Sequence, residues 1–295
     1  MQNSNIANLQ SKLQVLSELG LTSSDLVKIV NCRPRFLSCR IDQPLNHRLK
    51  YLRDFFGSEE VLNKAIIRNP SLLTYDFKVR IKPVIELYDS MGLSREDLIM
   101  MLLSRPTLIP RSSLNDDKLE YIRKTKVSKD SKMYKYVVTL IAISRLETIR
   151  EKVANFEKFG FSDEEILGLF GRSPLLLTLS IDKVQRNMTF VLGTMKLPAR
   201  VALEHPFLLF TNLEVVLKPH VLLVGKIQDM GLVPQIKGHA MLTALRMKEK
   251  RFAEAFIKCH RDDIANELME YYRKAKCVKR LAESSKNNLH KGFPF

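Results

Sequence analysis

A chain of 295 residues with 45% hydrophobic and 27% charged side chains can bury a core without disulfides or metal, and it has no apolar run near the roughly 20 residues that span a bilayer. Its 48 Lys and Arg against 32 Asp and Glu leave a formal charge of +16, a field that attracts polyanions, nucleic acid first and an anionic membrane surface second. Four scattered cysteines (Cys32, Cys39, Cys259, Cys277) exclude a disulfide framework and a zinc site with ordinary ligand spacing.

The charge is uneven: residues 111–160 carry +5 and residues 237–295 carry +7, so the middle and the C-terminal part hold most of the excess. Met1 to Gln10 shows neither a secretory apolar core nor an Arg- and Ser-rich presequence, and helical patterning begins at Ile6.

An internal repeat organises the chain. It is framed by Pro34, Pro70, Pro106, Pro174 and Pro206, spaced 36, 36, 68 and 32 residues apart. The gap of 68 is close to two periods, so one repeat, near residues 125–160, lacks its proline. Apolar runs follow each proline: Arg35-Phe36-Leu37, Ser71-Leu72-Leu73, Thr107-Leu108-Ile109, Leu175-Leu176-Leu177 and Phe207-Leu208-Leu209.

Within a repeat the order of elements is legible. Thr22, Ser58, Ser94 and Ser162 stand where a helix N-cap belongs, and Asp25, Asp97 and Glu165 follow three residues later, the spacing of a capping box. Leu26, Leu62, Leu98 and Ile166, each with an apolar partner four residues on (Val30, Ile66, Leu102, Phe170), form the buried stripe of a first helix. The proline ends that helix, because it lacks an N–H and restricts the residue before it.

Second helices are predicted over Leu45–Phe56, Val79–Met91, Val184–Met195 and Val215–Met230. Gly20, Gly57, Gly92 and Gly160 stand where the helix before each cap must end. The repeat without a proline reads as helices over Met133–Ser144 and Leu146–Phe161, and Ala240–Cys259 and Asp262–Lys274 read as two closing helices. The prediction is an all-α solenoid of stacked helix pairs, one domain over residues 1–275 followed by a basic tail over 276–295.

The pattern Ser-x-x-(Asp/Glu)…Leu…Pro-x-(Leu/Phe)-Leu, with a second helix ending in Leu-Gly-Leu or Phe-Gly-Phe, resembles the mitochondrial transcription termination factor (mTERF) family over roughly residues 10–275. Leu217-Lys218-Pro219 leading to Met230-Gly231-Leu232, and the closing Lys250-Arg251-Phe252, extend the likeness, which is greatest toward the plant organellar branch. The resemblance implies a superhelix, left-handed in preference to right-handed, whose basic concave path accepts double-stranded DNA or structured RNA. It also implies a place in mitochondria or chloroplasts, with other organellar gene-expression proteins as further partners.

Candidate contact residues are the cations recurring just before the prolines, Arg33, Arg68, Arg105 and Arg172, and those of the second helices, Arg48, Arg80, Lys82, Arg186 and Lys218. The segment from Arg111 to Lys135 is denser in cations, Arg123 and Lys124 among them, with Tyr121, Tyr134 and Tyr136 interleaved. Such interleaving stacks bases in some proteins, but a solvated loop with core tyrosines is the favoured expectation.

No phosphate-binding loop, nucleophile elbow or HExxH motif occurs, so no enzymatic activity, cofactor or metal is expected. The expected function is regulation of organellar transcription, termination or initiation, by a monomer bound to duplex DNA. RNA binding for splicing or ribosome assembly, and a protein-binding scaffold, are the alternatives.

Overall fold

The computed structural model describes residues 10, 13–14, 16–32, 34, 43–236 and 238–276. Among these every regular element is helical, and the helices pair as the repeat requires. The chain divides into two compact units, one of residues 1–153 with 170–177 and one of residues 154–169 with 178–295.

In the first unit the first helices form a stack. Ser23–Cys32 packs on Glu59–Arg68, that helix on Arg95–Ser104, and that on Tyr134–Ile143. Each second helix, Gln43–Phe56, Lys82–Ser90 or Asp116–Lys124, packs on the first helix that follows it. The aliphatic stripe read from the sequence is what the stack buries: Leu62, Ile66, Leu98 and Leu102 are all in the core. So are Leu72, Leu73, Leu108 and Ile109, the apolar pairs two and three residues past the prolines, which pin the corners. Phe36 and Leu37 of the first corner lie outside the described residues.

Two predicted capping boxes close in full. Asp25 N donates to Thr22 Oγ1 at 3.3 Å while Thr22 N donates to Asp25 Oδ2 at 3.3 Å. Ser162 N donates to Glu165 Oε2 at 3.0 Å and Glu165 N returns to Ser162 Oγ at 3.3 Å. The third closes by half: Asp97 N donates to Ser94 Oγ at 3.1 Å, but the Asp97 carboxylate takes Lys135 Nζ at 2.6 Å instead. Gly92 and Gly160, at φ +85° and +82°, take the left-handed turn that ends the preceding helix.

Two second helices begin with a π turn, over Phe77–Ile81 and Leu213–Leu217. Each is followed at once by Lys-Pro, Lys82-Pro83 and Lys218-Pro219. A proline inside a helix removes one N–H and crowds the carbonyl four residues back, and here the backbone widens to avoid it. Ile81 N and Leu217 N accordingly bond five residues back, to Asp76 O at 3.3 Å and Asn212 O at 3.0 Å.

In the second unit the helix Ile181–Gly193 packs on the Phe207–Phe210 turn, and Lys218–Asp229 packs on Asp262–Lys276. The predicted closing helix Ala240–Cys259 is two helices, His239–Leu245 and Glu249–Phe256. The break has a packing cause. Leu242 and Leu245 enter a cluster with Phe190 and Leu217, whereas Phe252 and Phe256 enter another with Leu223 and Leu268. The chain changes direction through Met247, whose N bonds only three residues back, to Ala244 O at 3.0 Å.

Candidate nucleic-acid interface

Where a first helix ends and a second begins, the sequence is stripped of acids: residues 61–75, 98–115 and 166–181 contain none. These stretches include the corners at Pro70, Pro106 and Pro174, so any cation there acts without a local carboxylate.

In the first unit neighbouring corners are tied directly. Arg68 Nη1 donates to Leu103 O at 2.7 Å, in the last turn of the helix that Arg105 caps. Asn69 Nδ2 donates to Pro106 O at 2.8 Å. The Phe77–Ile81 turn packs on the Leu108–Arg111 turn. Arg68, Lys78, Arg80 and Arg111 are exposed and Arg105 is half-buried, so five cations gather along two adjoining corners. Lys78 and Arg111 were absent from the sequence-based set. Arg111 lies in an acid-free stretch and Lys78 two residues past Asp76, but the two do not repeat at one offset from proline.

The other predicted residues divide. Lys82 is exposed and pairs along its own helix with Glu86 at 3.5 Å. Arg123 and Lys124 share Glu120, at 3.2 and 3.8 Å, and occupy the last turn of Asp116–Lys124, the end away from the corner. Arg123 instead lines a cavity of roughly 420 Å³ with Met91, Leu119, Ile122, Val127 and Lys129. Arg33 lies outside the described residues.

Arg48 is a correction. It is buried, and its Nη1 donates to Leu73 O in the next corner, so its guanidinium braces the repeat and does not face a phosphate. Tyr134 likewise serves the core: it is buried and its hydroxyl donates to Met91 O at 2.9 Å.

The mTERF family model matches residues 1–61 and 45–253. The chain belongs to the mTERF family. No curated protein matches it.

In this mTERF chain the second unit pairs its second-helix cations much as Lys82 is paired in the first. Arg186 pairs with Asp182 at 3.1 Å and Lys218 with Glu214 at 3.8 Å, each along its own helix. Lys183, on the corner side, gives its ammonium to Phe210 O at 2.6 Å. Arg172, which belongs to the first unit, is exposed at the end of the Asp163–Arg172 helix. Pairs of this kind at the surface, here half-buried, are worth a few tenths of a kcal/mol up to about 1, little enough for a phosphate to displace the carboxylate.

Among the described residues no cluster of His, Cys, Asp or Glu is placed to hold a metal ion, and no helix is long and apolar enough to cross a membrane.

Proposed function

We propose that this mTERF protein binds nucleic acid along the corner edge of its helix pairs and regulates gene expression in a mitochondrion or chloroplast, without chemistry of its own. Membership of the mTERF family supports the class of partner. The gathering of Arg68, Lys78, Arg80, Arg105 and Arg111 on adjoining corners, where residues 61–85 and 98–115 hold a single acid, Asp76, carries the reading for this chain. Arginine suits the task, since its planar donors meet phosphate oxygens in pairs.

Double-stranded DNA is the proposed target, bound by a monomer whose repeats form one domain over residues 1–275, with modulation of transcription, termination or initiation, as the outcome. Arg172, Arg186, Lys82 and Lys218 are proposed as secondary phosphate contacts that exchange their present partners for phosphate when the polyanion arrives. The plant organellar branch is the proposed place within the family.

The test is binding of a mixed-sequence DNA duplex across a salt series. For Z phosphates neutralised, log affinity falls with log salt with a slope of about −0.9Z. A steep slope that shrinks when corner arginines are changed to glutamine supports the reading. Duplex binding that salt does not weaken, or tighter binding of a stem-loop RNA than of the duplex, defeats the choice of DNA.

A further inference from the structure

The two π turns expose a side chain that the ordinary helix starts do not. Where a second helix begins as regular α-helix, the residue three past the cap turns into the corner. Lys118, three past Asn115, reaches Ala142 O at 2.9 Å, and Lys183, three past Ser180, reaches Phe210 O at 2.6 Å. The π turns keep the cap bond, from Val79 N to Asp76 Oδ1 at 2.9 Å and from Val215 N to Asn212 Oδ1 at 3.0 Å. The wider turn that follows rotates the same position away from the corner, leaving Val79 68% and Val215 45% exposed.

An isolated surface valine is ordinary. Val79 differs in its surroundings. It is held on a turn fixed by the Asp76 cap on one side and Pro83 on the other, and it stands between Lys78 and Arg80, both exposed. Residues 77–85 contain no acid. The arrangement is an aliphatic knob flanked by two cations, and a nucleic acid offers the complement: apolar sugar faces and base edges between phosphates. A basic or neutral protein surface offers no such complement.

We propose that Val79 is an apolar contact residue for nucleic acid, pressing on sugar and base edges while Lys78 and Arg80 hold the phosphates on either side. This rests on the nucleic-acid reading above and adds to it a component of affinity that salt does not screen.

The two components separate in one experiment. The full chain is titrated with a labelled mixed-sequence DNA duplex and with a labelled stem-loop RNA over a range of salt concentrations. Val79→Ser is expected to weaken binding about three- to tenfold, by the same factor at every salt concentration and with the slope unchanged. Arg80→Gln is expected to reduce the duplex slope by about 0.9. Val79→Leu should retain wild-type binding. Val233→Ser, at a valine 77% exposed but with no flanking cation, should leave binding unchanged. All three positions being on the surface, melting temperatures should match the wild type.

If Val79→Ser binds as the wild type does at every salt concentration, or loses affinity only through the slope, the apolar contact is overturned and the nucleic-acid reading stands. If the wild-type chain binds neither probe, both fall.

Discussion

The ammonium of Lys118 lies 2.9 Å from the carbonyl oxygen of Ala142, at the place where one repeat has lost its proline. It also donates to Ser113 O at 2.9 Å and Ser113 Oγ at 3.0 Å, and it is only 5% exposed. Its counterparts make the same reach from second helix to the following corner: Arg48 to Leu73 O, the Tyr88 hydroxyl to Ser112 Oγ, and Asn187 Nδ2 to Thr211 O. The separations are 25, 24 and 24 residues, and 24 again for Lys118. A polar tie to the next corner is therefore a fixed feature of the repeat, and the residue type that makes it is free to vary.

Lys118→Met should remove all three bonds, leave Ala142 O with only the 3.2 Å bond from Ser113 N, and destabilise the chain by about 1–3 kcal/mol. Burial already holds the Lys118 ammonium below the usual lysine range, with Glu147 opposing that shift. A urea midpoint equal to that of the wild type would show that the tie adds nothing to stability.

Arg48 and Arg105 should respond in opposite ways, because one is turned inward and the other caps a helix on the corner edge. Arg48→Met is expected to lower stability by about 1–3 kcal/mol and keep the salt slope of duplex binding. Arg105→Gln should keep stability within about 0.5 kcal/mol and reduce that slope by about 0.9. Paired unfolding and binding curves for each variant check both statements.

Two glycines predict substitutions of opposite sign. A Cβ on Gly171 would stand 2.7 Å from Thr125 O and 2.7 Å from Val127 Cγ2, so Gly171→Ala should destabilise by about 1–3 kcal/mol. Gly225, inside the helix Lys218–Asp229, has nothing within 4 Å of that position. Gly225→Ala should stabilise by about 0.5–1 kcal/mol through helix propensity. Thermal melts of the two variants decide it, and a stabilised Gly171→Ala would contradict the packing.

Acid should weaken the closing helices through His220. Its ring is 1% exposed and stacked on Phe252 at 3.7 Å, and neither ring nitrogen has a hydrogen-bond partner among the described residues. Burial pushes its pKa down to about 4 from the ordinary 6.5, with Glu249 opposing and Lys276 adding to the shift. Because the folded value is the lower one, the unfolded chain binds the proton first. Stability is full above about pH 6.5 and is lost as pH falls toward 4, by up to about 3 kcal/mol. Carboxylates titrate in the same window, so the measurement is the difference between wild type and His220→Phe. That difference should grow steadily as pH is lowered; a constant offset from pH 7 to pH 4 would show that His220 does not titrate there.

What the sequence determined is what is local. The caps at Thr22 and Ser162, the stripe through Leu62 and Ile66, the glycine ends and the corner prolines all act within about four residues. Each has a backbone cause that reads directly as spacing, and together they gave the all-α repeat in register. The tertiary structure decided which way the long polar side chains point. Arg48 and Arg105 read alike as candidate contacts, yet only packing against the next repeat turned Arg48 inward. The ties from Arg48, Lys118 and Arg68 span 25, 24 and 35 residues, and no period of 3.6 carries information over such distances. The break at Met247 has the same origin: it depends on what neighbouring elements leave open, and neighbours exist only once the chain has folded.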